Sequence, residues 1–298
     1  MRGAAWRVLV LLAVPVAARA QADAQPLQAV LANGYRFAYA ERGGGPPVLL
    51  VHGALTDLRF WSAQLDGLAG AARVIAVSRR GHYPNPWRAD DPPAGFATTA
   101  ADLAAIIRAL RLEHPVVVAH SWATPAVLEL ARRFPGVAGG LVLVNPVVGS
   151  LIPDPARRAA VAAARRQAYA DALQVFDPRA PEPAVNRLLS AWFGPGVTLD
   201  ALPGETRERL LANAQTLPAA AAPQPPVDCA TLAAIDLPVL LLGSADGPAE
   251  EGETLATLNR CLPRASLRTL PLGGRTLPRA QPDSVNAAVR EFMQAAAP

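Results

Sequence analysis

A serine stands where an apolar run meets a helical pattern, a context that suits nucleophilic chemistry. Residues 116–123 read Val-Val-Val-Ala-His-Ser-Trp-Ala, so Ser121 follows a predicted strand and precedes a predicted helix. A serine on such a sharp turn exposes its hydroxyl, and the helix behind it offers backbone N–H groups to a developing negative charge. Ala119 and Ala123 are small enough for strand and helix to approach closely, although glycine is the usual residue there. The simpler alternative is a serine that only caps the helix.

Polar segments also follow three other predicted strands. His52-Gly53-Ala54 comes after one apolar run, residues 78–82 follow the next, and Asp246 lies just beyond a later one. In an open sheet of parallel strands, ligands bind outside the carboxyl ends of the strands. We therefore expect these segments to gather around Ser121. Asp246 would either orient a base there or cap the helix that follows it.

The elements that must position these residues are short apolar runs that alternate with helical patterns. Six runs of four to six residues are rich in Val, Ile and Leu, which is typical of strands buried on both faces of a parallel sheet. The runs are residues 48–51, 74–77, 115–119, 141–144, 238–242 and 266–270. Residues 98–112, 123–134 and 282–293 show helical spacing, and residues 28–42 suit an antiparallel entry hairpin.

The alternation of strands and helices stops between Val147 and Leu237. This stretch carries helical patterns and a linker of proline and alanine, but no convincing strand. The sequence therefore predicts an α/β fold, a mostly parallel, doubly wound sheet with an inserted helical cap. The core would comprise residues 28–146 and 237–298, and the cap residues 147–236.

In their order and spacing, these segments resemble the α/β-hydrolase superfamily across essentially the whole mature chain. The chain is similar to exported or small single-domain members that carry a helical cap. The resemblance implies that Ser121 is the nucleophile and Asp246 the acid of a catalytic triad. It also implies that the backbone N–H groups of Ala54 and Trp122 form the oxyanion hole.

The chain departs from that family at the histidine of the triad. The family places this base after the last core strand, shortly before the final helix, and Arg275 occupies that position here. Arginine stays charged at physiological pH and does not act as a general base. No histidine follows His120 in the sequence. We expect Asp246 and Arg275 to form a charge-assisted pair that leaves Ser121 unactivated.

A substitute base and a pocket residue complete the predicted site. His82, in the loop after a strand on the same edge of the sheet, is the best substitute for the missing histidine. Trp61 is expected to line the pocket beside Ala54, Ser121 and Trp122, which would make the site mostly apolar.

Two main hypotheses for the function follow. The retained Ser121 and Asp246 favour a serine hydrolase that acts on a small ester or related acyl bond, with a degenerate triad. Arg275 favours a non-catalytic protein of the same fold that binds a small apolar ligand or a partner. A third class is a structural protein with a collapsed pocket. A serine nucleophile argues against dehalogenase and epoxide-hydrolase chemistry, which uses a carboxylate.

Composition and motifs bound the partners. The 298 residues are 51% hydrophobic and 17% charged, which excludes a disordered chain. The net charge of +4 falls to +1 without Arg2, Arg7 and Arg19, so nothing indicates a nucleic-acid partner. The sequence holds no HExxH, EF-hand, P-loop or CxxC motif, so we expect no cofactor and no metal. The expected ligand is a small-molecule acyl substrate or an apolar ligand.

The first 20 residues match a secretory signal peptide. Two arginines precede an apolar run, and Ala18-Arg19-Ala20 offers a cleavage site. We expect an exported, periplasmic or secreted protein without a stable membrane span after processing; the alternative is an uncleaved apolar helix. In an oxidising compartment, Cys229 and Cys261 would form a disulfide, and the alternative is two buried free thiols.

Overall fold

The computed structural model describes residues 27–87 and 95–296 of the chain. The predicted signal peptide, residues 1–20, lies outside the described residues. Eight strands form one sheet in the order β1-β2-β4-β3-β5-β6-β7-β8. Their bounds are β1 Gln28–Ala32, β2 Tyr35–Arg42, β3 Pro47–Val51, β4 Arg73–Val77, β5 Val116–His120, β6 Gly140–Val144, β7 Val239–Ser244 and β8 Ala265–Leu270.

The sheet is antiparallel only at its first edge. Strand β2 pairs antiparallel with both β1 and β4, and the five remaining neighbouring pairs are parallel. The entry hairpin predicted at residues 28–42 is therefore present. Between the parallel strands the chain crosses over through helices, so the predicted mostly parallel, doubly wound sheet is confirmed.

Helices cover both faces of the sheet. One apolar layer includes side chains of α2, α3 and α9, and the other includes side chains of α1 and α11. The helices are α1 Ser62–Leu68, α2 Phe96–Ala109, α3 Thr124–Arg133, α4 Pro155–Gln174, α5 Glu182–Phe193, α6 Gly204–Ala212, α7 Leu217–Ala220, α8 Cys229–Ala233, α9 Ala249–Cys261, α10 Leu277–Ala280 and α11 Pro282–Ala296.

Strand β8 differs from the expectation that every apolar run is buried on both faces. Its four inner residues are exposed, and Leu267 keeps 42% of its surface accessible. The reason is position: β8 is the last strand of the sheet and has β7 as its only neighbour in the sheet. Strands β5, β6 and β7 are buried along their whole length, as predicted.

Helices α4 to α8 lie between β6 and β7 and form the inserted cap. The cap has an apolar core of its own, which also includes Leu55 from the loop after β3. Asn213 connects the cap to the loops that follow β3 and β4. Its Nδ2 donates to Asp57 at 2.7 Å, and its Oδ1 accepts from the Tyr83 N–H at 2.8 Å. Asp57 is fully buried and also accepts hydrogen bonds from Nε and Nη2 of Arg59.

The predicted disulfide is present. Cys229 and Cys261 are bonded, with their Cα atoms 4.9 Å apart, so the bridge joins α8 of the cap to the end of α9. Within residues 27–87 and 95–296, no helix combines the length and the apolar character that crossing a bilayer requires.

Candidate active site

Ser121 has the backbone shape that a nucleophile elbow requires. It follows β5 directly with φ at +51°, in the left-handed region that residues other than glycine rarely adopt, and it starts a short 3-10 turn into α3. Ser121 is half-buried, and its hydroxyl has no hydrogen-bond partner among the described residues. No side chain caps the 3-10 turn or α3, so the simpler reading of Ser121 as a helix cap is wrong. Its role as a nucleophile stays a prediction.

The loop after β3 lies directly against this elbow. A Cβ atom at Gly53 would lie 3.4 Å from the Ser121 Cβ and 3.0 Å from the His120 Nδ1, so a side chain there would crowd the His120 ring. The Gly53 carbonyl accepts a hydrogen bond from Arg79 Nη2 at 2.8 Å. Because a trans peptide is planar, this bond turns the Ala54 N–H to the opposite side of the peptide.

Trp122 forms the other side of the predicted oxyanion hole. Its ring stacks on Phe96 with centroids 4.3 Å apart, and its Nε1 donates to the Ala220 carbonyl of α7 at 3.3 Å. Neither the Trp122 N–H nor the Ala54 N–H has an acceptor in the part of the chain that the structure describes. Both groups therefore lack an acceptor within the described part of the protein, as the donors of an oxyanion hole would.

Asp246 is exposed and binds the loop that follows β8. Its carboxylate accepts a short hydrogen bond from the Ser244 hydroxyl and bonds from the N–H groups of Gly274 at 2.9 Å and Gly273 at 3.3 Å. The Ser244 hydroxyl, and then these N–H groups, hold the pKa of Asp246 below its usual value. The expectation that Asp246 caps the next helix is wrong, since Pro248 precedes α9 without a side-chain cap.

Arg275 does not pair with Asp246, which corrects the expected ion pair. Its Nη2 lies 2.8 Å from Oε1 of Glu250, and its Nε donates to the Trp192 carbonyl of α5 at 3.0 Å. Among the described residues, no nitrogen of Arg275 comes within 4.0 Å of Asp246. The physical reason is that backbone N–H groups already occupy the Asp246 carboxylate, while the Arg275 side chain extends toward the cap.

His120 is bonded to the loop at Arg275 rather than to Ser121. Its Nε2 donates to the Arg275 carbonyl at 3.0 Å, so Nδ1 carries the lone pair and is buried without a partner. Burial lowers the pKa of His120 to about 4. Its ring stacks on Phe60 at 4.6 Å. This histidine is therefore neutral at pH 7.

His82 is not placed to act as the substitute base. Its Nδ1 donates to the Arg80 carbonyl at 3.0 Å, and its Nε2 accepts from Arg79 at 3.0 Å, so both ring nitrogens are occupied. Burial and then the charge of Arg79 lower the pKa of His82 well below its usual value. His52 is held in the same way, with its Nε2 accepting the Arg79 N–H at 3.0 Å. None of the chain's four histidines, all of them described, bonds the Ser121 hydroxyl.

Two acidic residues at the start of α9 were not anticipated from the sequence. Glu250 holds Arg275, and the buried Glu251 accepts from Asn145 Nδ2 at 2.8 Å. Burial raises the pKa of Glu251. Asn145 also donates to the Gly274 carbonyl at 2.9 Å, so this pair supports the loop. The one available signal was the pair of acids in the first turn of a predicted helix.

Trp61 has no accessible surface, whereas the sequence predicts it at the wall of the pocket. It is fully buried in the apolar layer that also contains residues of α1 and α11, and it meets His120 edge-on at 6.3 Å. A groove of about 770 Å³ lies elsewhere, between the start of α2 and the proline-rich segment 222–227, and Ser121 is not among its lining residues. Within the described ranges, no three His, Cys, Asp or Glu side chains cluster as a metal site would require.

The chain is similar to a known protein family and to several known proteins. The model of the Alpha/beta hydrolase family matches residues 48–288. A putative non-heme chloroperoxidase of Synechocystis is 28% identical over 278 residues, which cover 86% of this chain and 94% of that protein. An uncharacterized protein of Mycobacterium tuberculosis is 32% identical over 120 residues, or 40% of this chain and 34% of that protein. The chain thus spans about a third of the length of the first curated relatives it matches.

A solved structure has the same overall fold. The thermophilic esterase of Thermogutta terrifontis superposes with a TM-score of 0.72 at 23% identity, covering 91% of this chain and 99% of that one. At this identity the likeness concerns the fold alone.

Proposed function

Because this chain belongs to the alpha/beta hydrolase family, we propose that it is a serine hydrolase-type protein that acts on small esters or related acyl compounds. The observation that carries the proposal is the left-handed backbone of Ser121, with its unbonded hydroxyl against the loop 53–54. The match to the alpha/beta hydrolase family over residues 48–288 supports hydrolase chemistry. In such chemistry the Ser121 oxygen attacks the acyl carbon and displaces the alcohol.

The oxyanion hole would be the part of the site that stabilises the charge of the reacting acyl group. The N–H groups of Ala54 and Trp122 would donate to the carbonyl oxygen as it becomes negatively charged. Arg79 prepares this hole in advance by fixing the Gly53 carbonyl, so no reorganisation is needed when the charge develops. Backbone donors of this kind retain catalysis when a member of the triad is missing, commonly about 10³–10⁴-fold over water.

Turnover is proposed to be slow because the Ser121 proton has no imidazole to receive it. Arg275 stands at the family's base position and bonds Glu250 and the cap. Since His82 is occupied by Arg79 and Arg80, a water molecule held by the exposed Asp246 is the remaining route for the proton. Ser121 and Asp246 would thus act without a third catalytic group, since the Arg275 side chain binds Glu250 and the Trp192 carbonyl instead.

A second candidate function is ligand binding without turnover. The observation that favours it is that no histidine bonds the Ser121 hydroxyl, while the two hole N–H groups stay free. A protein of this kind would hold an acyl compound or a partner peptide at the hole without cleaving it.

Active-site labelling separates the two candidates. We expect a fluorophosphonate to label the native protein stoichiometrically at Ser121, with slow hydrolysis of 4-nitrophenyl acetate, and the Ser121→Ala variant to show neither reaction. If the native protein resists labelling and hydrolyses no ester above the level of Ser121→Ala, the binding function replaces the hydrolase.

We also propose that the protein is exported, with residues 1–20 as its signal peptide. The disulfide between Cys229 and Cys261 supports an oxidising compartment. Expression of the full chain with its own N-terminus should yield a protein that starts after residue 20 and is found outside the cytoplasm. An intact Met1 on the folded protein would contradict this proposal.

A further inference from the structure

Arg79 is a buried arginine that contacts both sides of the candidate oxyanion hole. It is only 5% exposed. Its Nε donates to the His52 carbonyl at 3.2 Å, and its guanidinium lies 4.1 Å above the centre of the Trp122 ring. Its Nη1 has no hydrogen bond to any described residue. The guanidinium therefore lies against Trp122, the residue after Ser121, with Nη1 still able to bind a ligand.

No acid balances this charge. In the described part of the chain, no carboxylate lies within 4.0 Å of the Arg79 nitrogens, and both histidines beside it are neutral. Burial lowers the pKa of Arg79 to about 9, so it remains a cation at neutral pH. A buried charge without a counter-charge costs free energy, and proteins usually pair such groups or bind a ligand there.

A second arginine approaches the same place from the cap. Arg165 of α4 donates from Nη2 to the Ala220 carbonyl at 3.4 Å, the oxygen that Trp122 Nε1 also bonds. Its guanidinium lies 5.3 Å from the ring centre of Tyr169, which is 5% exposed. The charges of Arg165 and Arg79 both act on Tyr169, whose hydroxyl stays protonated because burial raises its pKa. Two cations and a hydroxyl donor thus meet where cap and core join.

We propose that Arg79 and Arg165 bind an anionic group of the ligand, so that the preferred compounds are acyl esters carrying a second, free carboxylate. The inference rests on the proposed function for the role of Ser121. Arg79 lies over the ring of Trp122, and Arg165 shares the Ala220 carbonyl with that ring, so both guanidinium groups lie on the Trp122 side of the predicted oxyanion hole. Guanidinium groups favour carboxylates because their N–H donors match the two oxygens.

Binding to an inactivated protein tests this without any need for turnover. In the Ser121→Ala background, calorimetry would compare monomethyl glutarate, which is anionic, with dimethyl glutarate, which is neutral and close in size. We expect the monoester to bind at least tenfold more tightly. Arg165→Gln should reduce this preference at least fivefold. Arg166→Gln removes the same charge from an exposed residue of α4 and should leave the preference within twofold.

Arg79→Lys is the second variant, since it keeps the charge but loses the bonds to the His52 and Gly53 carbonyls. We expect the preference for the monoester to fall in this variant as well. Equal binding of both esters, binding of neither, or equal effects of Arg165→Gln and Arg166→Gln would overturn the proposal. Fluorophosphonate labelling of Ser121 is a separate readout. If Ser121 is labelled but the monoester is not preferred, the hydrolase proposal stands and the anion site is contradicted. If the monoester is preferred but Ser121 is not labelled, the anion site stands and the hydrolase proposal is contradicted.

Discussion

Arg275 and Glu250 form an ion pair, with Nη2 of the arginine 2.8 Å from Oε1 of the glutamate. Both side chains are about a third exposed, at 30% and 33%, so solvent screening keeps the contribution of the pair to stability small. The pair instead sets the direction of the Arg275 side chain, because it holds the guanidinium near α9 and away from Asp246. Meanwhile the Arg275 carbonyl accepts from His120. Arg275 therefore connects His120, the cap and the core.

Restoring the imidazole should restore activity. In Arg275→His the new side chain would extend from a loop whose N–H groups already bind Asp246, so a general base becomes available to Ser121. We expect hydrolysis of 4-nitrophenyl acetate to rise about 10²–10⁴-fold, the usual contribution of general-base catalysis. Arg275→Gln is the matched control, since it also breaks the ion pair but adds no base. Equal rates in the two variants would show that position 275 does not face the nucleophile.

The strain at Ser121 should be measurable as stability. At a φ of +51°, the Cβ of alanine causes steric strain, and glycine has no Cβ. We expect Ser121→Gly to be more stable than Ser121→Ala by about 1 kcal/mol in urea unfolding, the reverse of the usual order. If Ser121→Ala proves the more stable variant, the elbow is relaxed in solution.

Asn213 should be needed to hold the cap on the sheet. Asn213→Ala leaves the buried Asp57 carboxylate and the Tyr83 N–H each without one hydrogen bond. We expect a loss of about 3 kcal/mol in the free energy of unfolding, together with faster proteolysis of the cap. Gln167→Ala, which removes an exposed amide of α4, is the control and should change neither measurement. A cap that resists protease equally in both variants would mean that other contacts are enough to fasten it.

Stability should fall as the pH falls below about 6.5. His120 is buried and neutral in the fold, with its pKa lowered to about 4, so the unfolded chain binds a proton that the folded chain does not. This stability is fully present above pH 6.5 and is lost progressively as the pH falls to about 4. The loss that His120 causes over this range is about 3 kcal/mol. The lowered pKa values of His52 and His82 act in the same direction.

Urea unfolding at a series of pH values measures this dependence. His120→Phe keeps an aromatic ring against Phe60 and should make the slope between pH 6.5 and 4 shallower. His114→Asn is the control, because His114 is exposed before β5 and should not change the slope. An identical slope in the native protein and His120→Phe would show that His120 does not carry the effect.

The elements and their order could be predicted from the sequence because each is encoded locally. Runs of Val, Ile and Leu marked the strands, and the position of Ser121 between β5 and α3 needed only the residues around it. The loss of the family histidine at Arg275 was equally readable, since it depends on residue type and place in the chain. The exposure of β8 could not be predicted in this way, because whether a strand lies at the edge depends on its neighbours in space.

The partners of the site residues were decided only by the tertiary structure. Arg275 had several acids within reach along the chain, and only the folded chain brings Glu250 rather than Asp246 to its side. The enclosure of His82 by Arg79, and of Trp61 by the core, also required the fold. The physical reason is that periodicity and motifs depend on neighbours in sequence, whereas hydrogen bonds and burial depend on where distant segments meet. The sequence by itself determined the α/β class, the elbow and the missing base, and the packed structure decided what each charged group binds.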